Sequence, residues 1–507
     1  MKNIRKICAA GVIASVALAV TSCKKLDFGA EYNINPAPNV SSFANTSQLL
    51  TNVLLNAGGG QTIATVEKGY FVQWMMQSQY PENANYTTTN VGWAAYYAGM
   101  LMDLQTIINY NTGATAADAK VTANGSNANQ IAIARILKAW YYSIVTDSWG
   151  DVPYSSALSL NFNPTYDKQS AIYTDLFKEL KAGAAQFDGG AAVKGDILFN
   201  GDAAKWKRFA NTLRMVLALR LSKVNPTQGR TEFVAAYNDA AGWVNSNDKN
   251  ISYTYLNNTN FRSPWNANFE TRDDWGVSNV FINWLNSNND KRLATFAQPN
   301  AQGQFKGIPY GFNRDQLIGW TAAGNDYSRM GTKIIGYTLN ANVRTLISYA
   351  PSPGYIFTAS QMWLTVAEAN ALGWVGGASD VATSYTNGVK ASWDQWGITY
   401  TPAELNAYLA GANVNVVGVT GNDLLKAIAL QKWVSLYPNG LEGWNEWRRT
   451  NYPVLTPSAA ALNDSKKIPV RNAYPVNEPT LNAANYKAQV GSMMGGDTHD
   501  TPVWWDK

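Results

Sequence analysis

The chain has 507 residues, enough for a large buried core, and its 40 basic and 35 acidic residues give a formal charge of +5. A balance this close to neutral, with no basic cluster, argues against nucleic acid as a partner. One histidine, two cysteines and 15% charged residues leave no His-pair metal site, no cysteine-rich zinc site and little room for a Ser-His-Asp triad.

Taken from the N-terminus, Lys2, Arg5 and Lys6 precede an apolar run from Ile7 to Val20 that is too short to span a bilayer and reads as a cleaved signal over residues 1–22. It ends in Val20-Thr21-Ser22-Cys23, a pattern that resembles the lipobox of bacterial lipoproteins, in which the cysteine is acylated and anchors the chain. Cys8 is lost with the signal, so Cys23 is the lipid-attachment residue and no thiol remains for disulfides or catalysis. Without Lys2, Arg5 and Lys6 the charge falls to 37 − 35 = +2. Residues 23–42 are polar and rich in Asn and Pro, which predicts a tether. Lys24, where an acidic residue would favour inner-membrane retention, fits export outward, although only Asp27 and Glu31 supply the acidity expected of surface display.

From residue 43 to 507 no low-complexity linker divides the chain, which predicts one continuous domain. Helices are expected around 43–57, 66–79, 91–110, 170–186, 231–246, 277–286, 358–374, 380–396 and 421–437. Ile133, Leu137, Trp140 and Ile144 share one helical face, as do Trp206, Phe209, Leu213, Leu217 and Leu221. Adjacent helices joined by short turns suggest stacked helix–turn–helix units without a clean sequence period. Segments rich in Asn, Gly and Pro at 247–275 and 295–357 read as irregular, apart from a short strand where Ile251 to Tyr255 alternates. Long irregular insertions on a rigid helical frame are where binding sites lie.

Several motifs stand in order along this frame. The helix from Arg135 to Tyr142 leads into Asp147-Ser148-Trp149-Gly150-Asp151-Val152-Pro153-Tyr154, where Gly150 can take the positive φ that closes a helix and Pro153 prevents its continuation. There follow Trp206 to Arg214, Asn289-Asp290-Lys291-Arg292-Leu293, Leu430 to Trp433 with Glu442 to Arg449, Ile468 to Arg471 with Pro475 to Glu478, and the terminal Pro502-Val503-Trp504-Trp505-Asp506. With the lipobox, this series resembles the SusD/RagB-like outer-membrane nutrient-binding lipoproteins over essentially the whole mature chain. Lys291 departs from the pattern, since the family has proline there.

The resemblance implies a mainly α fold with four TPR-like helix pairs supporting a loop-rich ligand region with minor β-structure. It also implies a lipid-anchored protein of the outer membrane, facing the exterior. Its partner would be a SusC-like TonB-dependent transporter, to which it delivers oligosaccharide. Peptide capture by the same fold is the alternative, and a lipid-anchored glycoside hydrolase a distant third. The family binds and does not cleave, so no catalytic residue, metal site or cofactor is expected, and calcium binding cannot be read from the sequence. No Gly-x-Ser-x-Gly elbow or His-Glu-x-x-His pair appears.

No ligand contact carries over from the shared motifs, so candidates come from loop composition. Chosen for aromatic faces that can pack on sugar rings, and polar groups that can bind hydroxyls, they are Tyr80, Asn83 and Tyr86, then Trp265, Asp274 and Trp275, then Trp320 and Tyr327. Trp93, Trp140, Trp206, Trp433 and Trp447 are expected in the core. Arg135, Arg208 and Arg214 are expected to pair with carboxylates or helix ends, and Asp147 and Asp151 to cap backbone donors. Glu442 and Glu446 are expected to join an ion-pair cluster with Arg448 and Arg449, and His499 to lie in a surface loop.

Overall fold

In a computed structural model the described residues are 45–62, 66–87, 91–159, 161, 163–340 and 343–507. The signal, Cys23 and the tether lie outside them. The architecture is mainly α. Helix α1 (Thr46–Thr62) is followed by the short α2 (Val66–Phe71), strand β1 (Met75–Gln77) and the single turn α3 (Pro81–Ala84). A π-helical segment, Ala95–Leu101, runs into α4 (Met102–Tyr110), and α5 (Asn127–Trp149) is the longest helix described. Ser126 caps α5 by accepting from the Asn129 N–H, and Gly150 closes it at φ 84°.

The next elements are the strand pair β2 (Val152–Pro153) and β3 (Tyr166–Asp167), then α6 (Gln169–Gln186), α7 (Ala203–Arg220) and α8 (Pro226–Tyr237). Beyond them come β4 (Ile251–Tyr253), α9 (Pro264–Asn268), β5 (Trp275–Val277) and α10 (Asn279–Ser287). Then follow α11 (Arg314–Ala322), the hairpin of β6 (Tyr337–Asn340) and β7 (Val343–Leu346), and β8 (Gly354–Phe357). The chain continues with α12 (Ala359–Ala371), α13 (Ala378–Gln395), α14 (Pro402–Leu409), α15 (Gly421–Ser435), α16 (Gly440–Thr450) and α17 (Ala483–Gly491). Successive helices pack in pairs, α5 on α6, α7 on α8 and α12 on α13, an arrangement consistent with TPR-like units. No described helix is long and apolar enough to cross a membrane.

Buried ion pairs pin the helices together. Asp147 at the end of α5 is fully buried and accepts from Arg220 of α7, from the Tyr173 hydroxyl of α6 at 2.6 Å and from the Trp505 indole at 2.7 Å. It therefore receives side-chain donors, where capping of backbone donors was expected. Asp151 does cap, accepting the Gln169 N–H at 2.7 Å. Arg448 lies between the rings of Trp444 and Trp505, 3.6 and 4.6 Å from their centroids. This ties the Asp147 turn, α16 and the terminal tryptophans into one knot.

A second knot joins Glu368 of α12, Lys432 of α15, and Glu446 and Arg449 of α16. A third surrounds Arg292, which is fully buried and bonds Asp290 through two nitrogens, Tyr408 of α14 at 3.0 Å and Gln431 of α15 at 2.9 Å. Lys291 points the other way and pairs with Glu404. The departure from proline falls on a partly exposed side chain.

The structure corrects several sequence expectations. The helix expected over 66–79 stops at Phe71, because Gln73 turns left-handed (φ 58°) and Met75–Gln77 pairs antiparallel with Trp275–Val277. The helix expected at 231–246 spans 226–237, its start set by the Asn225 cap and Pro226 at its first position. The stretch 295–357 holds α11, whose Asn313 and Gln316 form a capping box, and three strands. Strand β4 forms at the alternating segment and pairs with β8. His499 is half-buried, and its backbone carbonyl accepts from the Val470 and Arg471 N–H groups.

Candidate ligand-binding face

Antiparallel pairing of β1 with β5 brings the two ligand-candidate segments together. The Ser78 N–H bonds the Asp274 carbonyl at 2.7 Å and the Ser78 hydroxyl bonds that of Asp273 at 2.8 Å, so Tyr80 emerges beside residues 272–275. Gly276 is required in this strand, because a Cβ there would stand 2.5 Å from the Tyr327 ring.

Tyr80 is 43% exposed, and two guanidinium groups flank its ring, Arg272 at 5.3 Å and Arg314 at 5.6 Å from the centroid. Each arginine is held by a carboxylate. Arg272 pairs with Asp274 at 2.7 Å, and Arg314 makes two 3.1 Å bonds to Glu82. Those bonds hold the Glu82 carboxyl below its ordinary range. The ring is thus a solvent-facing aromatic surface with two carboxylate-paired guanidinium groups beside it.

Adjoining it, Arg329 lies 4.1 Å from the centroid of Tyr327 and bonds Asp273 at 2.8 Å as well as Asp326. Tyr327 is buried, which pushes its phenol up to about 12. The other carboxylate oxygen of Asp273 has no protein partner. Trp275 is half-buried and donates to the Tyr70 hydroxyl at 2.5 Å. On α11, beyond Arg314, Trp320 is half-buried with Lys306 5.2 Å from its ring centroid, and Ile318 is exposed. Lys306 is steadied by Asn325 at 2.6 Å.

Of the sequence candidates, Tyr80, Asp274, Trp275 and Tyr327 therefore meet around the β1–β5 pair, Asn83 is exposed at its rim and Trp320 stands on the adjoining helix. Tyr86 and Trp265 do not reach this face. Tyr86 is 1% exposed, its hydroxyl bonded to Ser458 N–H at 3.0 Å and Tyr310 at 3.2 Å. Trp265 is 3% exposed and lines an internal pocket. Composition alone missed Arg314, Lys306 and Arg329, because the stretch holding them carries no helical or strand period long enough to place them. Asp273 was within reach, in the same segment as Asp274.

Other expectations concerned scaffold. Trp93, Trp140, Trp206 and Trp433 are buried and Trp447 packs partly buried against the core. Arg135 pairs with Glu179 and Arg214 with Glu232. Glu446 sits in the buried knot with Arg449, while Glu442 pairs with Arg220 and accepts from Gln361. Arg448 instead donates to the carbonyls of Asp147 and Val470. Among the described residues no group of three or more His, Cys, Asp or Glu side chains is placed to hold a metal ion.

Residues 38–475 match the SusD-like family described as starch-binding and associating with the outer membrane, and the chain belongs to that family. Among solved structures, a chitin-binding protein is 28% identical, with a TM-score of 0.75 over 91% of this chain and all of its own. A SusD homologue from Parabacteroides distasonis is 24% identical, with a TM-score of 0.76 over 91% of this chain and 97% of its own. A chitin-binding SusD homologue from Flavobacterium johnsoniae is 23% identical, with a TM-score of 0.72 over 91% and 97%. A search of curated protein sequences returns no match.

Proposed function

We propose that this protein is a cell-surface lipoprotein, anchored through Cys23, that captures oligosaccharide on the face around Tyr80 and passes it to a SusC-like TonB-dependent transporter. The observation that carries this reading is the exposed Tyr80 ring, with the carboxylate-paired Arg272 and Arg314 5.3 and 5.6 Å from its centroid. A sugar ring can lay its apolar face on the phenol, while the Arg272 and Arg314 guanidinium groups bind its hydroxyls. The chitin-binding relative of 28% identity favours an N-acetylated glycan, and the family description favours starch. Binding without cleavage fits the engagement of Glu442 and Glu446, whose carboxylates pair with the buried Arg220 and Arg449.

The test is electrophoresis of the purified full chain through native gels containing soluble chitin derivatives, starch and other polysaccharides. Retardation by one or two of them, lost in Tyr80→Ala and Trp320→Ala, is the expected result. Retention of full mobility across the panel, together with binding of peptides, would replace sugar with peptide as the cargo. Recovery of a large outer-membrane β-barrel protein with the lipidated chain is the expected outcome for the partner.

A further inference from the structure

Arg208 of α7 departs from what its sequence motif predicts. Arg135 and Arg214 find the expected carboxylates, but Arg208, half-buried, makes no ion pair and no side-chain hydrogen bond among the described residues. Lys205 stands three residues before it on one face of α7, whose other side buries Trp206, Phe209 and Leu213. The acid at the head of this helix, Asp202, is engaged in capping and accepts from the Ala204 and Lys205 N–H groups.

Lys205 and Arg208 line a cavity of about 200 Å³ whose other walls are Leu198, Phe199 and residues 248–252. Lys249 brings a third cation, and its ammonium donates to the amide oxygen of Asn245 at 2.8 Å. Asp248 is the one acid in the lining, so the formal balance is 3 − 1 = +2. An unpaired lysine on an open surface needs no explanation. A half-buried guanidinium in a concave wall with two further cations is different, because partial desolvation and mutual repulsion both disfavour it until an anion arrives.

We infer that this cavity binds a phosphate monoester group, with the Arg208 guanidinium forked on two of its oxygens and Lys205 and Lys249 offsetting its charge. The planar fork of arginine matches two phosphate oxygens. A phosphate monoester carries about −1.5 to −2 near neutral pH, which balances the wall, whereas a single carboxylate leaves cation in excess. The cavity lies beside the first turns of α1, since Leu198 follows closely on Gly195, whose carbonyl accepts from the Thr51 hydroxyl at 2.9 Å. The carrier of the group is therefore either a soluble phosphate ester or a headgroup of the membrane in which Cys23 is proposed to be anchored. Only the second carrier rests on that anchor, and neither depends on glycan capture.

The experiment is calorimetric titration of the purified full chain with inorganic phosphate, glycerol phosphate and acetate. Saturable binding of both phosphates is expected, about tenfold or more tighter than acetate. Arg208→Gln and Lys205→Gln should each weaken it about tenfold at an unchanged melting temperature, while Arg230→Gln, an exposed arginine of α8 outside the cavity, binds as the parent does. Sedimentation with phosphatidylcholine vesicles, with and without phosphatidate, separates the carriers. The chains compared there all carry Cys23→Ser, so that no acyl group holds them. A preference for phosphatidate that Arg208→Gln abolishes assigns the lipid headgroup, and phosphate binding without that preference assigns the soluble ester. Acetate bound as tightly as phosphate, or phosphate binding that Arg208→Gln leaves unchanged, would overturn the inference. The mass of the chain recovered from membranes reports acylation of Cys23 separately, so the anchor and the cavity can fail independently.

Discussion

Tyr80 and Asp290 show how differently single residues serve this protein. Tyr80 is exposed and touches the rest of the structure mainly through two arginines. Tyr80→Ala is therefore expected to leave the melting temperature within about 2 °C of the parent. The same change should lower oligosaccharide affinity about tenfold, ~1.4 kcal/mol, as measured by calorimetric titration. Asp290 is the reverse case. It is the only carboxylate bonded to the fully buried Arg292 among the described residues, so Asp290→Ala leaves an uncompensated charge and should cost about 3–5 kcal/mol in urea unfolding. A loss below 1 kcal/mol would mean that Tyr408 and Gln431 suffice to hold the guanidinium. The sequence motif contains both Asp290 and Arg292, but could not say that they pair in the core. That depends on α14 and α15 closing over it.

Among the elements, the β1–β5 pair decides where the binding face lies, and it was the least legible part of the chain. Met75–Gln77 continues an apolar run that reads as helix, and only the distant partner Trp275–Val277 makes it a strand. Once formed, the pair fixes Tyr80 against Arg272 and packs Gly276 on the Tyr327 ring. Gly276→Val is expected to destabilise the fold by ~1–3 kcal/mol through overpacking, and to weaken ligand binding further than lost stability explains, because Tyr327 carries Arg329 and hence Asp273. Binding measured well below the melting transition checks this, and an unchanged affinity would separate the strand from the site. The long helices were legible for the opposite reason. In α5 and α7 the apolar period is complete and the ends are marked by Ser126, Gly150 and Asp202. The irregular stretch between residues 295 and 357 hid α11, since its mixed sequence has no strong apolar face and only the Asn313–Gln316 box betrays it.

Across the whole molecule, buried charge knots link the helices, and this gives the protein a characteristic acid response. Burial alone would raise the carboxyls of Glu368 and Glu446, but Arg449 and Lys432 hold both below the ordinary value of 4.5. Because the folded values are depressed, the contribution is complete above about pH 4.5 and is lost as the pH falls below it toward the folded values. The urea midpoint should thus fall steeply below pH 4.5. Glu446→Gln should be less stable at pH 7 and show a shallower acid limb. An acid limb as steep as the parent's would place the titration elsewhere. The same knots join the shared motifs, so the family likeness visible in the sequence is largely a likeness of scaffold. Side chains that would meet a ligand are scattered over loops whose positions only the fold supplies, which is why Tyr80 and Trp320 were legible as candidates while Arg314, Lys306 and Arg329 were not. The central claim, capture of oligosaccharide on the face around Tyr80, is tested most directly by a crystal structure of the full chain with an oligosaccharide that retards it in gels. The account predicts a sugar ring stacked on Tyr80, with hydroxyls within 3.2 Å of Arg272 or Arg314. Well-ordered sugar bound only elsewhere, with the Tyr80 ring bare, would contradict it.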